Sequence, residues 1–302
     1  MATSSSLATV KRTLREFKAD NITDWAAALT YYGVLSIFPA LLALVSIVGL
    51  MGTSATTALQ KNLGTFAPGE VRSILSHAID QLSNNRGGAS AAFVVGLVIA
   101  LWSASGYIAA FMRAANVIWD VEEGRPIWKT VPIRLGVTLL AVVLLAISSV
   151  AVVLTGGLAR KAGSLLGMGS TAVTIWDIAK WPVLVVIVAG LVGLLYFAAP
   201  NVRHRAVKSL LPGAAVAVGL WLVASGAFAA YVANFGSYNK TYGTLAAVVV
   251  FLIWLWLSNV AILLGAELNA EIARGHQIAA GYPEDREPFL DPRDTRKMSA
   301  TD

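Results

Sequence analysis

The sequence predicts an all-α fold, a polytopic membrane helical bundle with six transmembrane helices and amphipathic surface helices beside them. Three observations carry this. The 302-residue chain is 57% hydrophobic and 13% charged, where a soluble domain carries roughly 25% charged residues. Its apolar residues fall in uninterrupted blocks rather than short periodic stripes. Six of those blocks reach the ~20 residues that cross a bilayer as helix.

Residues 1–20 form an arm before the bundle. "MATSSSLATVKRTLREFKADN" is polar and basic with no apolar centre, so it does not read as a signal peptide. Leu7, Val10, Leu14 and Phe17 fall at helical spacing, with Lys11, Arg12, Arg15 and Lys18 on the other faces. This predicts an amphipathic helix on an anionic leaflet. The alternative is a short solvated arm.

The six-helix domain covers 21–274, with spans at about 25–51, 91–112, 133–157, 181–199, 209–233 and 243–266. In the first connection, 52–90, Pro68 opens a stretch whose Val71, Ile74, Leu75, Ile79 and Leu82 share one face. A surface helix is expected there. The 158–180 connection is looser. "GSYNKTYG" is tight, so spans five and six should be antiparallel neighbours. The tail, 275–302, is rich in charge and carries Pro283, Pro288 and Pro292, and reads as disordered.

Six spans put both termini on one side. The arm, the 113–134 and 200–208 loops and the tail then hold sixteen of the 23 Lys and Arg residues. The cation-rich side should be cytoplasmic. The net charge of +6 is thereby explained by orientation, with no specific nucleic-acid partner.

Composition excludes other chemistry. There is no cysteine, hence no disulfide, thiolate metal site or cysteine nucleophile. His77, His204 and His276 are scattered. No phosphate-binding glycine loop, nucleophile elbow or metal-ligand spacing occurs. Neither an enzymatic activity nor a cofactor or metal is expected.

Two groups of residues break the lipid pattern. Pro39 should kink the first span, and Pro212 with Gly213 the fifth. Tyr31 and Tyr32, then Ser103, Ser105 and Tyr107, and finally Asn259, place polar groups within the first, second and sixth spans. Such groups face protein or a cavity, so these nine residues are a candidate pathway or hinge set. Ordinary packing and local back-bonding by the hydroxyls are the plainer reading.

The second group lies at one depth. Glu267 is 24 residues past Gly243, and Arg113 is 22 past Ala91. Both spans run the same way, so at about 1.5 Å per residue the two reach a similar level. Asp24 and Asn116 fall near it. Asp24, Arg113, Glu267 and Asn116 are therefore a candidate polar cluster at the cytoplasmic mouth. Separate snorkelling to water is the alternative.

The segments "ALTYYGVLSIFPALLAL", "WSASGYIAAFMRAANVIWD" and "YNKTYGTLAAVVVFLIWLWLSNVAILLGAELNAEI" resemble the YihY/BrkB family of six-span bacterial membrane proteins, over roughly residues 15–275. "LLGAELNAE" is the most specific piece. The family was historically misnamed ribonuclease BN. The resemblance implies a six-span envelope protein, with links to serum resistance, lipid or lipopolysaccharide traffic and small-solute export. It implies no catalytic residue set.

Function is therefore expected in transport. Kinked helices, a small-residue fifth span and mild internal hydroxyls suit a flippase-like or transporter role for a lipid-like or small zwitterionic solute. No ATP-binding segment is present. A non-transporting scaffold for envelope machinery is the alternative; a ribonuclease fits least, lacking converging carboxylates or histidines. Expected partners are the lipid bilayer and that solute, and small-residue faces leave a homo-oligomer open.

Overall fold

A computed structural model describes residues 6–50, 89–153, 169–204, 206–234 and 239–298. These contain seven α-helices: α1 (Ser6–Ala19), α2 (Ile22–Leu50), α3 (Ala89–Ile118), α4 (Ile127–Val153), α5 (Ser170–Ala198), α6 (Leu211–Asn234) and α7 (Asn239–Ala279). A 3₁₀ turn, Val207–Leu210, leads into α6. No strand occurs among the described residues, only an isolated bridge between Val202 and Pro292. The fold is a polytopic helical bundle.

Helices α3, α4, α5, α6 and α7 each contain a segment long and apolar enough to cross a membrane. The first predicted span falls on α2, whose 29 residues extend about 43 Å at 1.5 Å per residue. Neighbours in sequence pack against each other from α2 to α7, and α7 returns to α2. The six long helices thus close a ring, with α6 and α7 antiparallel neighbours. Apolar side chains such as Ile99, Leu145, Val186, Val223 and Val249 face outward. An outward apolar belt is what a lipid solvent requires.

The buried core sits toward one end, where the 119–126 and 199–206 connections meet both chain ends. Ile22, Leu29, Phe111, Tyr196, Leu263 and Phe289 are its large members. This terminal end is closed by tight helix stops. At the end of α3, Asp120 takes φ 47°, Val121 N–H bonds Asn116 C=O at 3.0 Å and Asp120 N–H bonds Val117 C=O at 2.9 Å. This pair of bonds is the Schellman stop. The end of α7 repeats it with Gly281 at φ 92°, the conformation glycine adopts without steric cost.

Several expectations need correction. The fourth span was placed at 181–199, but α5 already begins at Ser170. Lys180 followed by Pro182 imitates a helix start; here Lys180 Nζ pairs with Asp177 Oδ1 at 2.8 Å one turn back, and the helix runs through. The helix that carries the sixth span, α7, continues beyond 266 to Ala279. The tail is not a disordered segment from 275: residues 280–298 fold back over the terminal end, with Phe289 buried and stacked on Trp119 at 5.7 Å. Its prolines and charges have partners that composition does not show.

Pro212 does not kink α6. It is the second residue of that helix, where a missing N–H has no acceptor to lose. Pro39 does lie inside α2. The predicted surface helix around 68–82 lies outside the described residues.

Helix α1 packs on the end of α7. Thr9 and Thr13 are buried against the bundle, while Leu7, Val10 and Leu14 are turned outward and exposed. Phe17 packs on the core.

Candidate functional site

The polar groups inside the ring are arranged in three tiers along α7. The first tier is a bridge across three helices. Tyr107 Oη of α3 donates to Asn259 Oδ1 of α7 at 2.8 Å. Asn259 Nδ2 donates to Thr30 Oγ1 of α2 at 3.1 Å, and Thr30 Oγ1 donates to Ala26 C=O at 2.7 Å. Asn259 is 1% exposed. Its amide is therefore satisfied by protein at a depth where water is excluded, as a bilayer interior demands.

Other candidate pathway residues do not join this bridge. Ser105 Oγ bonds Trp102 C=O at 2.6 Å, one turn back in its own helix. Ser103 and Tyr31 face outward. Tyr31 meets Tyr32 edge-on, with centroids 5.5 Å apart.

The second tier is a backbone crossing of α6 and α7. Gly213 and Gly265 pass so closely that a Cβ on either would collide with the carbonyl oxygen of the other. Asn269 sits beside them. Its Oδ1 accepts from Gly213 N–H at 2.8 Å, and its Nδ2 donates to Leu210 C=O at 3.0 Å. It thereby satisfies an orphan donor at the start of α6. Tyr196 Oη of α5 donates to Ile262 C=O of α7, tying a third helix to the crossing.

The third tier is charged. Glu271, fully buried, accepts from Arg12 Nε at 2.7 Å. Its other oxygen lies 3.0 Å from Arg274 Nε, and Arg274 also pairs with Asp120. The guanidinium of Arg274 stacks 4.5 Å over Phe289. Four segments of sequence meet on two arginines: the arm, the end of α3, the end of α7 and the tail.

The cluster expected from depth is not assembled. No ion pair joins Asp24, Arg113 and Glu267 among the described residues. Asp24 is exposed in the first turn of α2. Arg113 is exposed, its guanidinium 5.5 Å from the Tyr32 ring centroid. Glu267 points inward at 1% exposure, and its Oε2 is buried with no hydrogen-bond partner. The reason is helical phase: Arg113 follows the fully buried Phe111 by two residues, a turn of about 200°. Asp24 stands likewise between the buried Ile22 and Ala26.

Asn116 belongs to a different network. Its Nδ2 donates to Glu123 Oε2 at 3.0 Å, and its Oδ1 accepts from Asn201 N–H at 2.8 Å. Arg125 pairs with Glu123 at 2.6 Å and donates to the carbonyls of Ala198 and Ala199 at the end of α5, where cations are favoured. Burial works against ionised Glu123, but the hydrogen bonds and charge of Arg125 prevail and hold its carboxyl below the usual range. Asn201 Nδ2 donates to Asp294 C=O at 2.7 Å, and Lys129 Nζ pairs with Asp294 Oδ2 at 2.6 Å. These contacts strap the tail to both connections.

Electrostatics at this end are uneven. Burial, then the charge of Asp120, raises Asp20 to about 7. Burial raises Asp120 to about 6 against the opposing pull of Arg274. Burial, then Arg293, lowers His204 to about 4. His204 lines a cavity of about 60 Å³ with Trp119, Ser209, Asn269, His276 and Leu290. No set of three or more His, Asp or Glu groups suited to a metal occurs among the described residues.

Arg12, Asp120, Asn201, Gly265 and Arg274 were not singled out from sequence. Only Arg274, three residues after Glu271, carries a local signal, the i, i+3 pair.

The family model for Virulence factor BrkB matches residues 13–288. "Putative ribonuclease-like protein YfkH" of Bacillus subtilis is 31% identical over 247 residues, 81% of this chain and 88% of that protein. A UPF0761 membrane protein of Alkalilimnicola ehrlichii is 33% identical over 85% of this chain. One of Aeromonas salmonicida is 30% identical over 84% of this chain and 85% of its own length. The chain spans little more than half of some UPF0761 relatives, 57% of the Ralstonia nicotianae protein and 56% of the Alkalilimnicola one. No solved structure matches.

Proposed function

The chain belongs to the BrkB virulence-factor family, and from that premise we propose that it is a transporter or flippase-like carrier. Its passenger is a lipid-like or small zwitterionic solute, and it has no ATPase of its own. It sits in a bacterial inner membrane with both termini in the cytoplasm, as its cation-rich segments favour.

The observation that carries this reading is the Tyr107–Asn259–Thr30 bridge within a closed ring of six helices. Polar groups inside a membrane protein are costly and tend to mark pathways. This rung is neutral, a mixture of amide and hydroxyl. A neutral polar rung suits a passenger without net charge better than a simple ion. The bridge joins α2, α3 and α7, so opening a path there means exchanging its two interhelical hydrogen bonds for bonds to the passenger. A ribonuclease reading gains no support from the site, where no set of acids and histidines among the described residues is placed to hold a metal ion.

The test is reconstitution of the full chain in liposomes. Scrambling of a fluorescent phosphatidylcholine and efflux of radiolabelled glycine betaine are measured in parallel. Activity in one assay that falls in Asn259→Leu supports the carrier. Inactivity in both, with a partner protein co-purifying from the membrane, overturns it in favour of a scaffold.

A further inference from the structure

Among the described residues, no cation pairs with Glu267. It is 1% exposed, and its Oε2 has no partner. The charges acting on it come from Asp20, Glu271, Glu16 and Asp120, all carboxylates. The arginines on the facing elements are engaged elsewhere. Arg12 of α1 holds Glu271 at 2.7 Å, Arg274 of α7 holds Glu271 and Asp120, and Arg15 of α1 holds Glu16 at 2.8 Å. Asp24 of α2 and Arg113 of α3 are turned away and exposed.

A buried carboxylate in that setting has no counter-charge. It must gain positive charge, and the space limits what can supply it. Leu263 and Ala266 beside it on α7 are almost fully buried, so the side chain lies in packed protein. A proton is the cation that fits without displacing a side chain.

We propose that Glu267 is a proton-binding site at the terminal end of the bundle, occupied at neutral pH. Uptake forms the O–H bond at a Glu267 carboxyl oxygen, and release breaks it, returning H⁺ to water. Asp20 titrates at about 7, where burial has raised it, and is half-buried. The assignment goes beyond the carrier reading and stands without it.

The test is infrared spectroscopy of the full chain in lipid nanodiscs at about pH 8, where Asp20 and Asp120 are ionised. A carbonyl band of a protonated carboxylic acid is expected, moving to lower frequency when glutamate is ¹³C-labelled. It disappears in strong alkali, is lost in Glu267→Gln and persists in Asp24→Asn. Glu267→Gln keeps the melting temperature of the parent, because an amide matches the neutral acid in shape and charge. Absence of the band in the unsubstituted protein overturns the proposal without reference to any variant, as does its survival in Glu267→Gln. A melting temperature raised by sodium chloride but not by choline chloride also overturns it, since a metal cation would then occupy the site. None of these results bears on the liposome assays, so the two readings fail separately.

Discussion

Gly213 and Gly265 touch backbone to backbone where α6 crosses α7. A Cβ on Gly265 would lie 2.7 Å from Ala217 Cβ and against the Gly213 carbonyl. The crossing holds because neither residue has a side chain, and Asn269 then reaches across to the Gly213 N–H. Membrane helices pack in this way because lipid gives apolar side chains no reason to prefer each other.

Gly265→Leu should therefore be severely destabilising, by about 1–3 kcal/mol or more, because backbone cannot move aside as a side chain can. Gly190 makes a control, since a Cβ there meets nothing within 4 Å. Gly190→Ala should be neutral or stabilising by roughly 0.5–1 kcal/mol, the helix-propensity gain. Thermal unfolding in detergent compares the two.

Tyr107→Phe should lower stability by about 1 kcal/mol, since Asn259 loses a donor in a site without water. Thr30→Val should do the same from the other side of the amide. The double variant should cost less than the sum of the singles, because all three groups form one chain. A double-mutant cycle on melting temperatures measures the coupling.

Arg12→Ala should loosen α1 from the bundle. Glu271 keeps Arg274 but loses its 2.7 Å partner, at a cost of about 1–3 kcal/mol for a buried charged hydrogen bond. Trypsin cleavage at Lys11 and Lys18 should accelerate. Arg15→Ala, whose residue is exposed and bonds only Glu16 and Glu284, should leave the rate unchanged.

Stability should fall as pH rises from about 4 to 7. Asp20 and Asp120 have folded values of about 7 and 6, above the unfolded value near 3.9. The unfolded chain loses those protons first, so the folded state is favoured below that value and the advantage is gone once pH passes the folded values. Asp20→Asn should flatten the upper part of the curve. His204, lowered to about 4, acts oppositely: below an unfolded value near 6.5 the unfolded chain takes up the proton that the fold refuses. Melting curves across pH separate the two, since His204→Gln removes the opposing slope and should steepen the fall between about pH 4 and 6.5.

Deleting residues 280–298 should lower the melting temperature rather than leave it unchanged. Phe289 is buried against Trp119, and Asn201 and Lys129 lose Asp294. A tail without contacts would give no shift.

The sequence was most informative where one-dimensional signals suffice. Block hydrophobicity pointed to a polytopic helical bundle, because lipid forces each crossing to be a continuous apolar helix with its backbone bonds satisfied internally. The short "GSYNKTYG" stretch pointed to α6 and α7 as antiparallel neighbours.

Azimuth was not legible. Arg113 and Asp24 turn outward while Glu267 turns inward, since which face of an apolar helix meets protein depends on its neighbours rather than on its own pattern. Helices that are oily all round hide that face. By itself the sequence determined that the chain is a membrane bundle of long helices, through the cost of exposing backbone to lipid. Only the tertiary structure decided that Arg12 reaches Glu271, that Gly213 meets Gly265 and that the tail closes the terminal end. Those contacts join residues 52 to 259 positions apart and exist only once the helices have packed.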